Sequence, residues 1–152
     1  MGFGEAVCTV LKDKYATFSG RASRSEFWWF QLFYVLCCLA FGVLLFLAGA
    51  MQMPAESAQG GFPLPVIAVF IIAGILGLAA LVPMIALQVR RLHDRNMSGW
   101  WYLGVFVAGF IPFLNFAASI ALVVIDVLKG TDGPNKYGPD PLSPYGGAEV
   151  FA

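Results

Sequence analysis

The sequence predicts an all-α membrane protein with three spanning helices and an amphipathic N-terminal helix at the interface. Three observations carry that expectation. Of 152 residues, 59% are hydrophobic and only 12% charged, against about 45–50% and about 25% in an ordinary soluble domain. A soluble chain of ~150 residues buries only ~70% of its surface, too little to hide so much apolar side chain. Charge is also absent from residues 27–51, 62–89 and 100–125, each beyond the ~18 residues that mark a spanning helix. Finally, the basic residues sit beside these runs. Nine Lys and Arg balance nine Asp and Glu, so no global field recruits nucleic acid.

Within residues 1–18, Phe3, Val7, Val10, Leu11 and Phe18 share one helical face, with Glu5, Lys12 and Asp13 off it. This segment is expected either to lie on the membrane surface or to pack against the cytoplasmic end of the bundle. Ser23 followed three residues later by Glu26 is a capping-box pattern, marking the start of the first span. Arg21 and Arg24 precede the span, and Trp28 and Trp29 open it at the depth amphipathic aromatics prefer.

The first span, 27–51, would reach roughly 37 Å, enough to cross a ~30 Å hydrocarbon core with tilt. Ala48-Gly49-Ala50 resembles a signal-peptidase site, but the apolar stretch before it exceeds the ~7–15 residues of a signal peptide. An uncleaved signal anchor is expected. A polar loop at 52–61 carries no Lys or Arg. The second span, 65–89, has Pro63 and Pro65 near its first turn. Pro83 should kink it, and Ala73 with Gly77 forms a small pair that would admit a neighbouring helix.

Lys12, Lys14, Arg21 and Arg24 precede the first span, and Arg90, Arg91 and Arg95 follow the second. Positive charge stays cytoplasmic, so the N-terminus and the second loop are expected inside and the first loop outside. All four tryptophans, Trp28, Trp29, Trp100 and Trp101, then fall on the cytoplasmic side. The third apolar run, 100–128, would reach roughly 43 Å as one helix and contains Pro112 and Asn115. The favoured reading is a single tilted or kinked span over 100–125 with the tail outside. The alternative is two short helices meeting between Ile111 and Asn115, giving four helices and returning the tail inside. The tail, 129–152, is dense in Gly, Pro, Asp and Asn, turn formers each for its own backbone reason.

GRASRSEFWWF, VRRLHDRNMSGWW and KGTDGPNKYGPDP, in that order, resemble the signatures of the YhaH-type family of small bacterial inner-membrane proteins, a domain of unknown function. The resemblance covers 18–141. Matching positions are Gly20, Arg21, Arg24, Glu26, Trp28, Arg91, Leu92, His93, Asp94, Gly99, Trp100, Trp101, Gly130, Gly133, Asn135, Tyr137, Gly138, Asp140 and Pro141. Asn96-Met97 and the loop around 55–61 depart from the pattern without threatening it. The resemblance implies a multi-pass protein of the bacterial inner membrane with no established activity.

The candidate site is a cytoplasmic collar of Arg21, Arg24, Glu26, Trp28, Arg90, Arg91, His93, Asp94, Trp100 and Trp101. If the second helix continues to Asp94, that carboxylate lies within pairing distance of Arg90 at i,i+4 and Arg91 at i,i+3. Glu26 and Arg91 are a plausible cross-helix pair. Such pairs tie helix ends, and basic residues beside a span attract anionic lipid headgroups at ~1 kcal/mol each. The sharper alternative makes His93, with Asp94 and Glu26, an acid–base centre. No second His, Cys pair or GxSxG motif supports catalysis or a catalytic metal. Cys37 and Cys38 fall in an apolar run and Cys8 stands alone, so no zinc or redox framework is expected. Mid-span ionisable residues, the usual mark of a transport path, are missing, and Asp126 is expected near the interface. No cofactor is expected. The expectation is a non-enzymatic module for membrane lipids, or for a second copy or another membrane protein. An oligomeric channel or transporter subunit is the alternative.

Overall fold

The computed structural model describes residues 1–50 and 64–143. The loop expected at 52–61, the last residue of the first span and the tail beyond 143 lie outside the described residues. Within them the chain is all-helical: α1 (Phe3–Cys8), α2 (Arg24–Ala50), α3 (Leu64–Asp94), α4 (Trp100–Ala108) and α5 (Pro112–Val127). Among the described residues the one strand-like feature is an isolated bridge between Asn135 and Gly138.

The N-terminal helix is shorter than the expected 1–18. After α1 the turn loosens to π geometry over Thr9–Asp13, where the Lys14 amide donates to Thr9 O at 2.8 Å. Ala6 and Val10 are fully buried while Phe3 stays exposed, so this segment is amphipathic and packs its small residues inward. Helix α2 begins where the capping pattern placed it. The Glu26 amide donates to Ser23 Oγ at 3.2 Å, and the Phe27 amide to Ser23 O at 3.1 Å. The reciprocal half of the capping box is not made, because the Glu26 carboxylate turns to Arg90.

Two compact parts share these helices, residues 1–30 with 83–152 and residues 31–82. The second holds the remainder of α2 and the first stretch of α3. Its described surface is almost wholly apolar: Leu39, Phe46, Ile75 and Leu78 are each more than half exposed. Both helices are long and apolar enough to cross a membrane. Side chains of this kind, unburied by protein, need hydrocarbon as solvent. A Cβ added at Gly77 would meet nothing within 4 Å, so among the described residues no helix packs closely on Gly77.

The third apolar run is not the continuous helix favoured from sequence. It breaks at residues 109–111 into α4, of 9 residues, and α5, of 16. The reason is local. Pro112 stands at the first position of α5 and pushes Ile111 into extended geometry, φ −113° and ψ 111°. The break lies at the leading edge of the 111–115 interval. The two helices fold back on one another. Trp101, Gly104 and Ala108 of α4 border the same apolar groove as Ile125, Ala121 and Ala118 of α5, an antiparallel register. At ~1.5 Å per residue, α4 is about 14 Å long and α5 about 24 Å, each short of a ~30 Å core.

Candidate functional site

The polar part of the molecule is built around six buried charges: Arg21, Arg90 and Arg91 against Glu26, Asp94 and Asp126. Arg90 and Arg91 are completely inaccessible, at 0% exposure. Buried charges survive only when paired and hydrogen-bonded, and the pairing here is dense. Asp94 is shared. Its Oδ1 accepts from Arg21 Nε at 2.9 Å and its Oδ2 from Arg91 Nη1. Arg90 gives Nη1 to Glu26. The cross-helix pair expected between Glu26 and Arg91 therefore forms with Arg90 instead, and of the two arginines weighed for Asp94 only Arg91, at i,i+3, is taken.

Arg91 does more than pair. Nε and Nη2 donate to Asp126 O at 3.2 and 3.0 Å, and Nη2 also to Leu128 O. These are carbonyls from the last turn and cap of α5, left orphaned where the helix ends. Arg91 thus caps α5 from α3, and its Nη1 reaches Ala22 O at 3.4 Å. Asp126, expected near the interface, is buried and accepts from Gln88 Nε2 at 2.9 and 3.1 Å.

The tail is part of this cluster. Arg21 Nη1 donates to Gly133 O and Nη2 to Thr131 O, both at 2.6 Å. The Thr131 amide and hydroxyl donate to Asp94 O at 2.9 and 3.1 Å. Asn135 Nδ2 donates to His93 O at 3.0 Å and to Thr131 Oγ1 at 2.9 Å. Gly130 passes so close to Asp94 that a Cβ there would overlap the carboxylate, which is why this position takes glycine. Gly133 and Asp140 close the turn: the Gly133 amide donates to Asp140 Oδ2 at 3.2 Å and the Leu142 amide to Oδ1 at 2.9 Å. The Leu142 bond first, then that from Gly133, hold the Asp140 carboxyl below its ordinary range. Between the tail and Arg21, Arg24 and Asp94 remains a polar space of about 20 Å³, room for one water.

His93 stacks on Tyr137, with ring centroids 3.8 Å apart and planes 5° from parallel. Its Nδ1 lies 3.2 Å from Gly20 O. A carbonyl can only accept, so Nδ1 carries the hydrogen. Glu26 and His93 engage different partners, Arg90 and Gly20, so the acid–base grouping weighed from sequence does not assemble. Arg24, Trp28, Trp100 and Trp101 are exposed. Of the ten collar residues, Arg21, Arg90, Arg91, Glu26 and Asp94 are thus interior, held by one another and by carbonyls. Among the described residues no group of three His, Cys, Asp or Glu side chains comes together as a metal would require.

Residues 15–139 match the family described as "Protein of unknown function (DUF805)". The chain belongs to the DUF805 family. It is 34% identical over 132 residues to Inner membrane protein YhaH of Escherichia coli (strain K12), covering 87% of this chain and 92% of that one. It is 35% identical over 133 residues to Inner membrane protein YhaI of the same strain, covering 88% and 92%. It is 29% identical over 143 residues to Uncharacterized protein YiiR, covering 82% and 85%. No solved structure matches. The DUF805 match takes in the first two motifs and all but the last two residues of the third, and the knot of Arg21, Asp94, Gly130, Thr131 and Asn135 joins one residue or more from each. Sequence reasoning missed Gln88, Asp126 and Thr131 as members. Gln88 and Asp126 lie in apolar helices 38 residues apart, with no local signal linking them.

Proposed function

We propose that this protein is a multi-pass inner-membrane protein without catalytic activity, an assembly module that engages anionic lipid headgroups through the rim of its polar knot. One observation carries the reading. The interior arginines are held by Glu26, Asp94 and backbone carbonyls, while Arg24 and Lys136 are exposed, Lys129 is exposed and paired with Asp132, and four tryptophans are exposed as well. Exposed cations with interfacial aromatics are what an anionic leaflet attracts. Lipid contact on this reading moves from the collar's arginines to its rim. Helices α2 and α3 cross the bilayer and α4–α5 enters it as a short hairpin. The bonds from Arg21 to Thr131 and Gly133 favour the N-terminal segment and the tail on one side, which positive charge assigns to the cytoplasm.

Native mass spectrometry of the full chain in mixed phosphatidylglycerol and phosphatidylcholine tests the lipid reading. Neutralising Arg24, Lys129 and Lys136 together should strip most retained phosphatidylglycerol. Unchanged retention overturns it. For topology, a cysteine at Tyr137 in a Cys-free background should resist an impermeant thiol reagent in intact cells and react after lysis. Labelling in intact cells places the tail outside.

A further inference from the structure

Asn115 is a polar residue that the knot leaves out. From Leu103 to Ile125 only Asn115 and Ser119 carry a hydrogen-bonding side chain. They stand one turn apart on α5, and Ser119 Oγ donates to Asn115 Oδ1 at 3.3 Å. Both are exposed. Helix α5 lines the groove it shares with α4 through Ala118, Ala121, Leu122 and Ile125, so Asn115 and Ser119 lie off that face. The Asn115 Oδ1 keeps a second lone pair, and its two Nδ2 hydrogens meet no acceptor among the described residues.

Depth makes this amide matter. Asn115 lies about 16 Å along α5 from Asp126 at ~1.5 Å per residue, half of a ~30 Å hydrocarbon core. Its near neighbours Phe113 and Phe116 are 92% and 72% exposed, so the end of α5 around it is uncovered. Lipid tails offer an amide no acceptor, and an unmet one is strongly disfavoured among them. The other spans carry no side chain that could answer it. From Val35 to Gly49, α2 holds no polar group beyond two thiols, and from Leu64 to Leu87 α3 holds none. The carbonyls of residues 105–108, ending α4, already accept from the amides of 109–111.

A second copy does carry the matching group. Two chains related by a two-fold axis along the membrane normal keep every residue at the same depth, so Asn115 meets its own counterpart. A carboxamide is donor and acceptor at once, and two of them exchange a pair of hydrogen bonds. We infer that the exposed Asn115–Ser119 face of α5 docks a second copy of this chain, closed by a reciprocal amide pair between the two Asn115 side chains. The inference rests on the reading of α4–α5 as a hairpin within the bilayer and gives the assembly module its contact.

Energy transfer between donor- and acceptor-labelled pools of the full chain tests it, in phosphatidylglycerol–phosphatidylcholine vesicles at falling protein-to-lipid ratio. Wild type should be a dimer. Asn115→Leu should weaken it about tenfold, as expected for losing two interhelical hydrogen bonds, with the thermal midpoint of the monomer kept. Asn115→Gln, which retains the amide, should recover most of the affinity. In a Cys-free background, Ser119→Cys should cross-link to its copy on oxidation in native membranes. A monomeric wild type, a dimer indifferent to Asn115→Leu, a Gln variant as weak as the Leu variant, a missing cross-link or a trimer overturns the pair. The same cysteine separates the two readings. If it reacts with an impermeant thiol reagent in opened membranes, the end of α5 lies in water, and the hairpin reading fails together with the pair. If it stays protected while the chain is monomeric, the pair alone fails.

Discussion

Helices α2 and α3 are each two materials in one element. In residues 32–49 and 64–82 the side chains are mostly apolar and, Val66 apart, at least partly exposed, with Phe46 at 73% and Leu78 at 69% exposure. In residues 24–30 and 83–94 the pattern inverts: Glu26, Gln88, Arg90, Arg91 and Asp94 are buried. The difference teaches what holds each region. The apolar stretches gain nothing from water exclusion between helices, since lipid tails are as apolar as leucine; they are positioned by the bilayer. The polar stretches gain from specific pairing in a buried site, where each charge depends on its partner.

The sharpest way to break that contrast is to unpair the polar region. Asp94→Asn removes the carboxylate of both Arg21 and Arg91 and should destabilise the protein by about 3–5 kcal/mol, read as a fall in thermal midpoint in detergent and earlier proteolysis of the tail. Glu26→Leu alone strands Arg90 and should fall in the same range, whereas Glu26→Leu with Arg90→Leu should recover most of it, since a buried pair replaced whole is often nearly neutral. A double variant as unstable as the single would show that the pair contributes net stability.

The apolar region should respond to charge instead. Leu78→Arg, near the middle of α3, should cost about 2.5–3.5 kcal/mol in an insertion assay; free insertion would mean that Leu78 does not meet lipid. Ser23→Ala should cost about 1 kcal/mol by removing the cap of α2, measurable by thermal shift. The smallest effect concerns Asp140. Its pKa lies below the ordinary ~3.9, so its contribution is full above that value and is lost only as pH falls through the lower one. Protease protection of residues 129–143 should be flat from about pH 7 to 5; a loss in that window would mean another group governs the turn.

Much of the layout was legible along the chain. The start of α2 at Ser23 and the i,i+3 partner of Asp94 follow from helical spacing, which is local. The break in the third run was visible as Pro112 but was outweighed by the length of the apolar stretch; the extended conformation imposed on Ile111 decided otherwise. The partner of Glu26 was misplaced by one residue, because neighbouring arginines on a helix point about 100° apart and only packing selects which faces α2. The docking of the tail on Arg21 had no local signature, since carbonyls at 131 and 133 look the same in any sequence.

By itself the sequence determined the solvent and the periods of this protein: charge-free runs that need hydrocarbon, capping residues, proline breaks and glycines where turns fall. Tertiary structure alone decided which charges are interior. Backbone position brings three motifs, separated by more than a hundred residues from Arg21 to Thr131, into one knot. There the arginines that composition marks as ligands for lipid become fasteners, because a desolvated guanidinium binds the nearest carboxylate and carbonyls it can reach.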